Sequence, residues 1–96
     1  MKAEKWTVNL INQAKKAPKT LPNNVLSAFF VLLQELEIFG PFRHTWPNYS
    51  KIRGSNNLHC HLKKGHPTFV ACWYVKDQNK KIIEIYYVGT HEKAPY

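Results

Sequence analysis

NLHCHLK (57–63), PTFVACWYVK (67–76) and KIIEIYYVG (81–89), separated by the turns KKGH (63–66) and DQNK (77–80), decide the fold. Each run is rich in β-branched and aromatic residues and ends at Gly, Pro, Asn or Asp, so each reads as a strand. The turns are short, so consecutive strands pair antiparallel. In the first run Leu58, Cys60 and Leu62 point to one face and His59, His61 and Lys63 to the other, because side chains alternate across a strand.

The apolar face needs a cover. Residues 22–39 (PNNVLSAFFVLLQELEIF) supply it. Val25, Phe29, Leu32, Leu36 and Phe39 recur at helical spacing, joined by Leu26, Phe30 and Leu33, while Asn24, Ser27, Gln34, Glu35 and Glu37 lie mostly opposite. Pro22 suits the first turn, Thr20 is a candidate cap, and Gly40-Pro41 ends the helix. Upstream, KWTVNLI (5–11) alternates as a short half-buried strand with Trp6, Val8 and Leu10 on one side. NQAKKAPK (12–19) is expected to form one or two helical turns, and residues 41–57 read as loop, with Trp46 expected in the core and Tyr49 either core or stacking surface. The sum is a single α+β domain over residues 1–96, with an N-terminal strand and two helical segments packed on a twisted antiparallel sheet that ends in a three-strand meander.

The chain carries 14 Lys+Arg against 6 Asp+Glu, a formal charge of +8. Such an excess on one small domain suits an anionic partner: nucleic acid first, an acidic protein second. A membrane surface ranks third, because the polar face of the helix lacks the Lys and Arg of membrane-surface helices. No run approaches the ~20 apolar residues of a membrane span. The opening MKAEKWTV has no leader-like apolar run, and the two cysteines, Cys60 and Cys72, sit in apolar stretches. The expectation is therefore a cytoplasmic protein with two free, buried thiols.

The polar face of the 57–63 strand is where chemistry is expected. His59 and His61 stand about 7 Å apart along a strand, with Lys63 beyond them. Imidazole takes or gives a proton near neutrality. Two such groups flanking a phosphodiester suit RNA cleavage: one removes the 2′-OH proton, the other protonates the leaving 5′ oxygen, and a lysine stabilises charge on phosphorus. The plainer alternative is that both are ordinary polar residues on a solvated sheet face. A zinc site would use His59 and His61 with His66 or His91. It is disfavoured because no Asp or Glu lies within the stretch, Cys60 faces away, and no Cys-x-x-Cys pair is present. No cofactor is expected.

The run LHCHLKKGHPTFVACWYV (58–75), followed after a turn by IIEIYYVGTHEKAPY (82–96), resembles the C-terminal half of RelE-family toxins of the RelE/ParE group, which belong to bacterial toxin–antitoxin pairs. The order and length of the earlier elements fit that fold too. Many members cut mRNA in the ribosomal A site without a metal, and each is silenced by a cognate antitoxin protein. By resemblance, His59 and His61 take the two alternating basic positions of the strand, and His91 takes the basic position after Val88-Gly89. Tyr96 takes the place of the C-terminal Tyr, with one residue fewer before it. Lys63 and Lys64 fall where further cations occur. One departure concerns the next strand, where RNA-cutting members often carry Arg but His66-Pro67-Thr68-Phe69-Val70 has none. The phosphate clamp would then fall to Lys63, Lys64, Arg53 or His66. The resemblance implies an endoribonuclease toxin with His59, His61, His91 and Tyr96 as catalytic groups and mRNA and an antitoxin as partners. The alternative within the same fold is a non-catalytic binding toxin, such as an inhibitor of DNA gyrase.

Overall fold

The computed structural model describes residues 5–96, so the first four residues of the MKAEKWTV stretch lie outside it. In chain order come β1 (Thr7–Leu10), 3-10 turns at Asn12–Lys15 and Ala17–Lys19, α1 (Asn23–Phe39), β2 (Ser50–Lys51), β3 (Leu58–Lys63), β4 (Phe69–Asp77), β5 (Ile82–Thr90) and a 3-10 turn at His91–Lys93. The strands form one five-stranded sheet in the order β1-β5-β4-β3-β2. The helical layer covers one face, which makes the domain α+β.

Helix α1 buries Val25, Phe29, Leu32 and Leu36 completely, the inner stripe its periodicity predicts. Fully burying such side chains contributes about 1.5–3 kcal/mol each. They meet Leu58 and Cys60 of β3, Phe69, Ala71 and Trp73 of β4, and Ile83, Ile85 and Val88 of β5. The Trp73 indole is fully buried, and its Nε1 donates to the Pro41 carbonyl at 3.1 Å. That bond ties the end of the helix to the sheet's centre. Trp46 packs on the same core and donates from Nε1 to Glu35 at 2.8 Å, and Tyr49 tilts against Trp73. Both loop aromatics therefore belong to the helical side.

Four expectations need correction. The sheet is mixed: β1 runs parallel to β5, with Thr7 opposite Ile82 and Leu10 opposite Ile85. Short turns dictate antiparallel pairing only between consecutive strands, whereas β1 joins the last strand after the whole intervening chain has crossed the sheet. Residues 41–57 are not all loop, because Ser50–Lys51 forms a two-residue edge strand on β3. Thr20 does not cap α1; its hydroxyl donates to the Ala17 carbonyl, and Pro22 itself is the N-cap residue. Finally, Phe30 and Phe39 are not covered. They are 50% and 65% exposed, and with Val31, Ile38 and Phe42 they leave apolar surface on and just beyond α1.

At the close of the helix, Gly40 has φ +92°, and a Cβ there would stand 2.9 Å from Trp6 Nε1. A positive φ and this close approach both require glycine. The contact locks the residue before β1 against the helix C-terminus, where the Trp6 N–H also donates to the Glu37 carbonyl at 2.8 Å.

A cluster of imidazoles and a tyrosine on the open sheet face

The face away from α1 is built by the same strands in opposite phase. His59 lies opposite Cys72, and Cys72 opposite Tyr87; His61 lies opposite Val70, and Val70 opposite Gly89. Val70, Cys72 and Tyr87 form a second small core, with Ile52, Tyr86 and Ala94 packed on it. Cys60 and Cys72 are both free and buried, on opposite faces of the sheet. Burial pushes the Cys72 thiol up to about 12, which makes it packing and not a nucleophile.

Two bulges set what stands on this face. In β5 the register slips between Ile85 and Tyr87, leaving Tyr86 as the extra residue. Tyr86 and Tyr87 thus both serve the open face, while Ile85 and Val88 keep the helix side. In β3 the register slips between His61 and Lys63, so that Lys63 lies opposite Phe69, a residue of the helix-side core. Lys63 does not continue the His59–His61 row, and its Nζ lies near Gly65 in the turn. Lys64 is the cation whose charge bears on His61.

The C-terminal segment folds back onto the face. The Thr68 carbonyl accepts the His91 N–H at 2.8 Å, fixing the 3-10 turn to the start of β4. Four rings then close a circuit. His59 and His61 have centroids 6.0 Å apart, His61 and His91 5.5 Å, His91 and Tyr96 5.7 Å, and Tyr96 and His59 5.1 Å. The structure therefore brings together His59, His61, His91 and Tyr96, four residues that the sequence spreads over positions 59–96.

Each ring has a distinct environment. His59 Nδ1 donates to the Ser50 carbonyl at 3.2 Å, with the Ser50 hydroxyl at 3.4 Å. A carbonyl only accepts, so this bond places the proton on Nδ1 and leaves Nε2 for chemistry. His61 is held below the ordinary imidazole range by burial first, then by His59, His91 and Lys64. Its neutral form is therefore favoured. The Tyr96 phenol is pushed up to about 12 by burial, with Cys72, Tyr86 and Tyr87 adding to the effect. At neutral pH it is a hydrogen-bond donor and a ring surface, not a base.

Beside His59 opens a groove of about 440 Å³, lined in part by Lys51, Arg53, Tyr86 and Tyr96. Arg53 thus lies next to the ring cluster, whereas His66 stands exposed in the β3–β4 turn. Among the described residues, no group of three or more His, Cys, Asp or Glu side chains is arranged to hold a metal ion. Sequence reasoning missed Ser50 and Lys51, because two polar residues show no strand pattern. It also missed Gln13, whose side-chain amide bonds both the N–H and the C=O of Val88 at 2.9 Å. The adjacent Tyr86-Tyr87 pair was the one available sign of the β5 bulge.

The helical layer on a five-stranded mixed sheet is a RelE-like fold. The chain is similar to the archaeal RelE–RelB complex structure from Pyrococcus horikoshii OT3, with a TM-score of 0.62, 94% of this chain and 99% of that chain covered, and 19% sequence identity. No family model and no curated protein matches the sequence. No described helix is long and apolar enough to cross a membrane.

Proposed function

We propose that this protein is the toxin of a toxin–antitoxin pair and acts as a metal-independent endoribonuclease on mRNA. The observation that carries this reading is the closed circuit of His59, His61, His91 and Tyr96 on a basic domain with the RelE fold. His61, kept neutral by burial and by neighbouring cations, takes the proton from the ribose 2′-OH. The 2′ oxygen attacks phosphorus, the bond to the 5′ oxygen breaks, and that oxygen receives a proton from His59. The products are a 2′,3′-cyclic phosphate and a 5′-OH end. His59 suits the acid role because its Nδ1 bond to Ser50 persists in the imidazolium, so gaining and losing a proton at Nε2 needs no reorientation.

Lys64 and Arg53, with Lys63 and His66 nearer the turn, are the cations proposed to hold the RNA backbone. His91 borders the reacting phosphate, and Tyr96 offers its hydroxyl or its ring to the substrate. The cognate antitoxin is proposed as the protein partner. Support comes from the +8 charge and the exposed Phe30, Val31, Ile38, Phe39 and Phe42, which suit an acidic partner with apolar anchors. Induced expression of this chain alone tests the reading: growth should stop and mRNAs should shorten within minutes. Growth arrest with intact mRNA and altered DNA supercoiling would select the gyrase-inhibitor alternative instead.

A further inference from the structure

The groove next to His59 is not needed for proton transfer, yet it is continuous with the ring cluster through His59 and Tyr96, which both line it. Its surface combines three features. Ile52, Tyr86 and Tyr96 supply apolar and aromatic area, and Lys51 and Arg53 supply positive charge. Asn57 supplies an amide that is held in place: its Nδ2 bonds the Tyr86 hydroxyl at 3.2 Å, and its backbone N–H bonds the Ser55 hydroxyl at 3.1 Å. The strap that carries these residues is itself fixed, since the Ile52 N–H donates to the Asn57 carbonyl at 2.8 Å and the Ser55 hydroxyl to the Ile52 carbonyl at 2.9 Å.

Aromatic area, fixed cations and one pre-set amide suit a nucleotide better than they suit a peptide. An aromatic ring stacks any base, cations hold the flanking phosphates, and an amide offers a donor and an acceptor to a base edge. An acidic peptide would use the cations but leave the tyrosines and the amide without matching groups. We propose that this groove binds one base of a single-stranded RNA, the nucleotide adjoining the phosphate faced by His59, and that Asn57 reads its edge. The proposal rests on the ribonuclease reading and adds to it the place where sequence preference arises. Bases elsewhere along the strand are then read weakly, and the backbone cations act on all sequences alike.

The test uses the full chain and a short 2′-O-methyl oligoribonucleotide of mixed sequence, which has no 2′-OH to attack and cannot be cut. Binding is followed by fluorescence anisotropy for the intact probe and for a series with one abasic position each. A single abasic position should weaken binding on the order of 10-fold, with smaller losses elsewhere. Asn57→Ala should reduce that position-specific loss, whereas Arg53→Ala, at an exposed position, should weaken the binding of every probe alike. Amide signals of Ile52, Asn57 and Tyr86 should shift on adding the intact probe and shift less with the critical abasic one. Equal losses at every position, or shifts confined to His61, Lys64 and His91, would overturn the proposal. So would groove signals that respond only to an acidic antitoxin peptide. Because the probe is uncleavable, a protein that binds it in the groove but leaves ordinary RNA intact would refute the ribonuclease reading alone.

Discussion

The ring of Tyr87 occupies the space that a side chain at position 89 would need. A Cβ on Gly89 would stand 2.7 Å from the Tyr87 hydroxyl oxygen and 3.0 Å from the ring carbon that bears it. The hydroxyl donates to the Thr90 carbonyl at 2.7 Å, one residue before His91. The glycine of the Val88-Gly89 pair therefore lets an aromatic ring lie along the strand and pin the segment that delivers His91.

Gly89→Ala is expected to push Tyr87 off this position, break its bond to Thr90, and lower stability by about 1–3 kcal/mol. Tyr87→Phe removes the closest atom but not the ring carbon, so the double variant should recover part of the loss. Urea denaturation of the two single variants and the double gives the coupling. Additive effects would mean that the two residues do not contend for the same space.

His61 contributes a pH dependence. Its pKa lies below the unfolded value of about 6.5, so the unfolded chain binds the proton more readily. Its contribution to stability is complete above the unfolded value and is lost as pH falls through the folded one. In the proposed chemistry the same depression keeps the base free, so the acid limb of the rate profile should fall below the ordinary imidazole value. Titration of the His61 ring protons by NMR checks both statements. Lys64→Gln should move that titration upward, since it removes one of the cations depressing it.

Substitution of the imidazoles should separate chemistry from folding. His91→Gln and His61→Gln are each expected to cut RNA cleavage by a factor on the order of 10²–10⁴ while leaving the melting behaviour and the antitoxin binding nearly intact. Cleavage kinetics, with calorimetry and a pull-down on the same preparations, provide the check. A fully active His91→Gln protein would remove this residue from the site.

The core should respond according to burial, not position in the motif. Leu36, on the inner face of α1, is fully buried, so Leu36→Ala should cost about 2–5 kcal/mol. By its alternation alone Leu62 would be expected to cost as much. It lies instead at the β3 bulge and only partly covered, so Leu62→Ala should cost less, about 1–2 kcal/mol. Chemical denaturation ranks the two.

The elements that could be read in advance are those with a local physical signal. The apolar stripe of α1 and the three-strand meander follow from periodicity and turn chemistry, as does the pairing of His59 with His61 on the face opposite Cys60. What escaped is set by distant partners. The parallel seating of β1 depends on β5, and β2 exists only because Ser50 and Lys51 meet His59 and Leu58. The departure of Lys63 from the histidine row comes from a bulge that the even alternation of LHCHLK conceals. Pattern at a chain end cannot show a tyrosine folding back, so the contacts of Tyr96 with His59 and His91 could be suggested only by resemblance.

The most direct measurement is the chemistry of the RNA ends left by the purified protein in the presence of a chelator. Attack by the 2′ oxygen with proton transfer by imidazoles predicts 2′,3′-cyclic phosphate on the upstream fragment and 5′-OH on the downstream one, at an undiminished rate when divalent metals are removed. Downstream fragments bearing 5′-phosphate, cleavage abolished by the chelator, or RNA left whole both free and on the ribosome would contradict it.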